Sequence, residues 1–103
     1  AKTGIRNFYN YPNPFPSSTQ FAFLLTGSEI PEQLHIKIYT VAGRLIRQID
    51  VTSGNLQLGF NRVFWDGLDT EGDRIGNGYY FIKCVVQAAS GTDEIIQKIL
   101  KLE

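Results

Sequence analysis

Cysteine is almost missing from this sequence. Cys84 is the only one in 103 residues, so no internal disulfide can form and no zinc site made of several thiolates is available. That leaves the redox compartment open. Net charge is missing too: ten lysines and arginines balance ten aspartates and glutamates, which removes the broad field that nucleic-acid and anionic-surface binders use. Nucleic acid is not an expected partner, and neither is membrane insertion. No window of about eighteen apolar residues occurs. The opening AKTGIRNFYNYP has no basic start followed by an apolar run, so no signal peptide is expected in it. If the protein is exported, this chain is a piece of something longer.

What is present is a series of short alternating segments. A chain of 103 residues forms one domain, able to remove roughly 65% of its unfolded surface from water. In TQFAFLL, Phe21, Phe23 and Leu25 recur with period two, and Ala22 and Leu24 take the other side. In LHIKIYT, Leu34, Ile36 and Ile38 oppose His35, Lys37 and Tyr39, the alternation of a half-buried antiparallel strand. Val41, Ala42 and Gly43 turn the chain into RLIRQIDV, where Arg47 breaks strict alternation and Leu45, Ile49 and Val51 form the expected inward set. Val63 and Trp65 share a face, as do Tyr80, Ile82, Cys84 and Val86. Pro12, Pro14 and Pro16 make Tyr11 to Pro16 an extended lead-in.

Between Trp65 and Gly78, Asp66, Asp69, Asp73 and Asn77 alternate with glycines, residues that bond their own backbone or accept positive φ. This stretch is a tight polar reversal between strands. The closing DEIIQKILKLE satisfies a helical stripe (Ile95, Ile96, Ile99, Leu100) and also a strand, which suits an all-β chain better. About seven short strands in a hundred residues predict an all-β fold, an immunoglobulin-like antiparallel β-sandwich. Residues 1–7 read as a linker or cloning remnant, and 8–103 as the domain.

Candidate chemistry is sparse. A nucleophilic dyad would need Cys84 beside His35, but their strand positions predict a buried structural thiol and a solvent-facing imidazole. No complete set of acid, base and nucleophile is visible, so an enzyme is not expected. Asp69, Glu71, Gly72 and Asp73 resemble the start of a calcium loop, yet no bidentate glutamate follows at the required distance, and Asx turns explain the same residues. Neither a cofactor nor a metal is expected. Tyr39, Tyr79 and Phe8 could form a carbohydrate-stacking platform, or could cover the second face of the sandwich.

YPNPF at 11–15, IYTVAGRLIR at 38–47, WDGLD at 65–69 and GDRIGNGYYFIK at 72–83 together resemble the C-terminal sorting domains of the Bacteroidetes type IX secretion system. They are also similar to the related immunoglobulin-like domain of flagellar hook-capping proteins. The resemblance spans about residues 8–103. LTGSEIPEQL, from Leu25 to Leu34, is most similar to the tails of gingipain-clan and sortase-like surface cysteine peptidases. Their catalytic residues lie in a separate upstream domain, so Cys84 and His35 inherit no role.

The resemblance implies a non-catalytic module that directs a larger secreted protein, a cysteine peptidase, through the periplasm to the cell surface or beyond. Its implied partners are the outer-membrane secretion machinery, a surface sortase in some members, and the upstream catalytic domain of the same chain. Carried over by position, the implied recognition residues are Gly43 and Arg44 in the GR turn, then Gly78, Tyr80 and Lys83 in the glycine, aromatic and basic strand motif. Lys98, Ile99, Leu100 and Lys101 follow in the terminal strand. Glu103 departs from the family's basic or aliphatic ending. An exposed edge on the terminal strand would suit β-augmentation by a receptor, or that strand simply completes the sandwich. An accessory role, packing against and stabilising the peptidase, is the other functional class.

Overall fold

Side-chain alternation decides the layers. The computed structural model describes residues 2–103, and its strands are β1 (Gly4–Tyr11), β2 (Thr19–Thr26), β3 (Gln33–Thr40), β4 (Leu45–Thr52), β5 (Gly59–Trp65), β6 (Gly78–Ala88) and β7 (Gly91–Lys101). They form a three-stranded sheet in the order β1-β2-β5 and a four-stranded sheet in the order β4-β3-β6-β7. All pairings within the sheets are antiparallel. This is the immunoglobulin-like sandwich that the alternation predicts, and the ambiguous closing segment is a strand, paired with β6 from Ala88↔Gly91 to Gly78↔Lys101.

The inner faces differ in kind. Phe8, Phe21, Phe23 and Trp65 line the three-stranded sheet, whereas Leu34, Ile36, Ile38, Ile82, Cys84, Val86 and Ile99 line the four-stranded one, all buried. Phe8 stacks on Phe21 and Phe23 at 5.6 and 5.8 Å, and Trp65 packs against Phe21 and Phe15 at 6.0 and 5.5 Å. Ring spacings of this kind add to plain area burial.

Two expectations need correction. Residues 4–7 are not linker: β1 begins at Gly4, and Ile5 is as buried as Phe8. The alternation is hidden because the register shifts between Arg6 and Tyr9, with Asn7 at φ 55°. The extra residue lets Ile5, Phe8 and Asn10 all point inward, which no strict period of two permits. Likewise Leu45 is outward and Ile46 is buried, because β3 and β4 shift register between Ile38 and Tyr39.

Each open side of the sandwich is tied. On one side the proline-rich segment reaches β7: the Phe15 N–H donates to the Leu100 carbonyl (2.9 Å), and the Leu102 N–H donates to that of Phe15 (3.0 Å). Nearer the start of β7, the Ile5 N–H donates to Asp93 Oδ2 at 3.0 Å. On the other side Arg47 points inward along β4, and its guanidinium donates to Asp66 Oδ1 (3.0 Å) and to the Leu68 carbonyl (2.9 Å). The Thr70 N–H adds a bond to the Ile46 carbonyl at 2.8 Å.

Candidate functional site

The polar reversal after Trp65 is built from its own side chains. Asp66 Oδ1 accepts the Leu68 N–H (3.0 Å), and Asp69 Oδ1 accepts those of Glu71 (3.0 Å) and Asp73 (2.9 Å). Of the residues that resemble a calcium loop, Asp69 has its carboxylate engaged in this turn, while Glu71 and Asp73 contribute backbone N–H groups to it. Gly67 has φ 80°, and a Cβ there would lie 1.7 Å from the Ser17 carbonyl oxygen, so only glycine fits. Trp65 is buried, and its indole N–H donates to the Leu68 carbonyl at 3.0 Å. The reversal thus hangs from a core side chain and delivers Gly78 to the start of β6.

The residues implied in recognition converge at one end of the four-stranded sheet. Thr40 pairs with Tyr80 and Tyr80 with Ile99, which brings together the β3–β4 turn at Gly43 and Arg44, the start of β6 and the end of β7. Gly78 pairs with Lys101, and Lys83 lies farther along, opposite Ile96. Gly43 has φ 92° with open space around it, so its role is conformational.

Alternation sorts the set. Tyr80, Ile99 and Lys101 face inward and are buried. The Tyr80 hydroxyl donates to the Gly76 carbonyl at 2.7 Å, as in the tyrosine corner of immunoglobulin domains, and burial raises its pKa. Lys101 Nζ donates to Glu103 Oε1 at 2.7 Å. Glu103 also pairs with Arg74, and its N–H donates to Asn77 Oδ1 at 3.0 Å. The hydrogen bond from Lys101, with the Arg74 charge, holds the Glu103 carboxyl below the usual carboxylate range. Glu103 therefore acts locally, neutralising a buried ammonium that would otherwise be costly to desolvate.

Arg44, Lys83, Lys98 and Leu100 remain on the outside. On the outer face of β6 and β7, Tyr79 pairs with Leu100, Phe81 with Lys98, and Lys83 with Ile96. Lys98 Nζ lies 4.7 Å from the Tyr79 ring centroid, and Lys83 pairs with Glu94 at 3.1 Å. The result is a two-strand ribbon of rings, aliphatic side chains and lysines.

Cys84 and His35 lie on opposite faces of this sheet. Cys84 is fully buried, and burial pushes its thiol pKa up to about 12. His35 Nδ1 sits 2.6 Å from Asp50 Oδ1 on the outer face. Hydrogen bonds from Gln48, then from His35, hold the Asp50 carboxyl below its ordinary value. The supposed aromatic platform is also corrected, because Phe8 is a core residue.

A different aromatic surface lies on the three-stranded sheet. Its outward rows are Tyr9–Ala22–Arg62 and Tyr11–Gln20–Phe64, leaving a groove of about 240 Å³ over β2. The period-two spacing of Tyr9 and Tyr11, and of Phe60, Arg62 and Phe64, carries this signal in the sequence.

Comparison with known proteins gives a consistent result. A family model described as the FlgD Ig-like domain matches residues 13–91. No curated protein matches the chain. Among solved structures, dimeric latent PorU from Porphyromonas gingivalis is 25% identical with a TM-score of 0.81, over 99% of this chain and 10% of that one. PorZ of the same organism, described as an essential bacterial surface component of the type IX secretion system, is 22% identical (TM-score 0.59) over 94% and 12%. FlgD from Xanthomonas campestris, described in connection with flagellar hook capping, is 17% identical (TM-score 0.58) over 96% and 66%. The last two likenesses concern the fold alone. The chain spans about a tenth of the PorU and PorZ chains.

Proposed function

Because the chain belongs to the FlgD Ig-like domain family, we propose that it is a non-catalytic C-terminal sorting domain. In this reading it directs a larger secreted protein, a cysteine peptidase, through the type IX secretion system. The likeness to PorU carries the proposal, since nearly the whole chain corresponds to a small fraction of that protein. Such a module has the size and closure of an address attached to a cargo. The cargo crosses the periplasm with this domain folded and is displayed at the cell surface, where a sortase can act on it.

The contact surface for the outer-membrane machinery is the ribbon of Lys83, Lys98 and Leu100 with Arg44 at its end. These are the implied residues that point outward; Tyr80, Ile99 and Lys101 support them from inside. Deleting Ile99 to Glu103 would strip two buried side chains, so outward substitutions make the cleaner test. A reporter fused upstream of residues 1–103 should reach the surface of a type IX-competent host. Replacing both Lys83 and Lys98 by glutamine should block that export while the purified domain stays folded and loses no more than about 1 kcal/mol of stability. Retention of the unaltered fusion inside the cell, or normal export of the folded double variant, would overturn the reading.

A further inference from the structure

The groove on the three-stranded sheet has a chemistry that the sorting role does not use. Four large rings stand out from one face, with Tyr11 75% exposed, Phe64 61%, Tyr9 49% and Phe60 42%. Exposed apolar surface gathered in this way marks an interaction site. The small side chain of Ala22 forms the floor, Tyr9 and Tyr11 one wall, and Phe60 and Arg62 the other. Since β1 and β5 flank β2, their backbones stand about 9–10 Å apart, leaving a trench one narrow chain wide.

Charge narrows the occupant. The three strands contain no aspartate or glutamate at all, but they carry Arg6 and Arg62. The Arg62 guanidinium rests 5.4 Å from the Phe60 ring centroid, a stacked position that leaves its donors able to meet a carboxylate in fork geometry. A peptide strand is an unsuitable occupant, because strand addition needs free backbone groups at an edge, and β2 is paired on both sides. What the trench offers instead is ring faces, two phenolic hydroxyls, the Gln20 amide and a cation. Those groups complement a sugar ring, with its apolar C–H face, its hydroxyls and an acidic substituent.

We propose that the outer face of the three-stranded sheet binds an anionic oligosaccharide lying along β2, stacked on Tyr9, Tyr11 and Phe60, with its acidic group on Arg62. The surface is on the opposite sheet from the ribbon assigned to sorting, so the two readings stand or fall separately.

The test is titration of the isotope-labelled 103-residue chain with tetragalacturonate, maltotetraose and tetraglutamate, followed by amide and aromatic NMR shifts. Tetragalacturonate should shift signals of Tyr9, Tyr11, Gln20 and Arg62, with much smaller shifts from maltotetraose. Tyr11→Ala and Arg62→Gln should each weaken that binding about tenfold, while Lys37→Gln on the other sheet leaves it unchanged. Both altered side chains lie outside the core, and unchanged spectra elsewhere will confirm that the variants fold. No shift, shifts centred on the four-stranded sheet, an equal response to maltotetraose, or tighter binding of tetraglutamate would each overturn the proposal.

Discussion

The two sheets bury their inner faces by different means. The three-stranded sheet relies on a few large rings in mutual contact, while the four-stranded sheet spreads its burial over many aliphatic side chains and one thiol. Their outer faces diverge as well. Both leave rings exposed, but one sets them beside arginines on strands that hold no acidic residue, whereas the other sets Lys98 against a half-exposed Tyr79 and joins Lys83 to Glu94. A core made of few large pieces concentrates stability in single residues, whereas one made of many small pieces dilutes it.

Trp65→Ala is the sharpest way to break that contrast. It removes ring contacts to Phe15 and Phe21 and the support of the polar reversal, and should cost about 3–5 kcal/mol in denaturant unfolding. A loss under about 1.5 kcal/mol, the range of Ile→Val changes, would mean that the aromatic sheet is no more concentrated than the aliphatic one.

The second test uses pH, and it addresses the four-stranded sheet through Cys84. Folding raises this thiol from its ordinary 9.0 to about 12. Below pH 9 it is protonated in both states and stability is unaffected. Between 9 and 12 the unfolded chain ionises and the folded one resists, so stability should fall by up to about 1.4 kcal/mol per pH unit. Tyr80, also raised by burial, adds to the same alkaline limb. Comparison with Cys84→Ala across pH 9 to 11 isolates the thiol, and an identical slope in the variant would show that its environment is not a dry aliphatic layer.

The smallest effect is expected on the outer face. Lys83→Ala breaks a half-exposed pair with Glu94 and should change stability by no more than about 1 kcal/mol, as read from the same unfolding curves. A larger loss would mean that the lysine ribbon helps to hold the sheet together.

Much of this architecture is legible in the sequence. The alternations in β2, β3, β5 and β6 identify their inward faces correctly, and the aspartates and glycines after Trp65 mark the reversal that forms there. Strand β1 escapes because a bulge at Asn7 puts two inward residues out of phase; in β4, Ile49 and Val51 face the core as expected, and only Leu45 gives way to Ile46 where the register shifts. Alternation in β6 already places Tyr80 inward, but the implied recognition residues of β7 have no visible sidedness until strand pairing fixes it: Ile99 and Lys101 are adjacent in sequence to outward residues and point into the core. Each wall of the aromatic trench is marked in the sequence by its period-two spacing, but their meeting is not, since they come from β1 and β5 and are brought together only through β2.

The bonds from Phe15 to Leu100 and Leu102, and from Ile5 to Asp93, join the first strand region to the last. Contacts so distant along the chain must wait for the slowest loop to close. Residues up to 90 hold six of the seven strands but not β7, which carries Asp93 and Leu100. The two segments farthest apart along the chain are therefore joined last, and a piece lacking either leaves one side of the sandwich without these bonds.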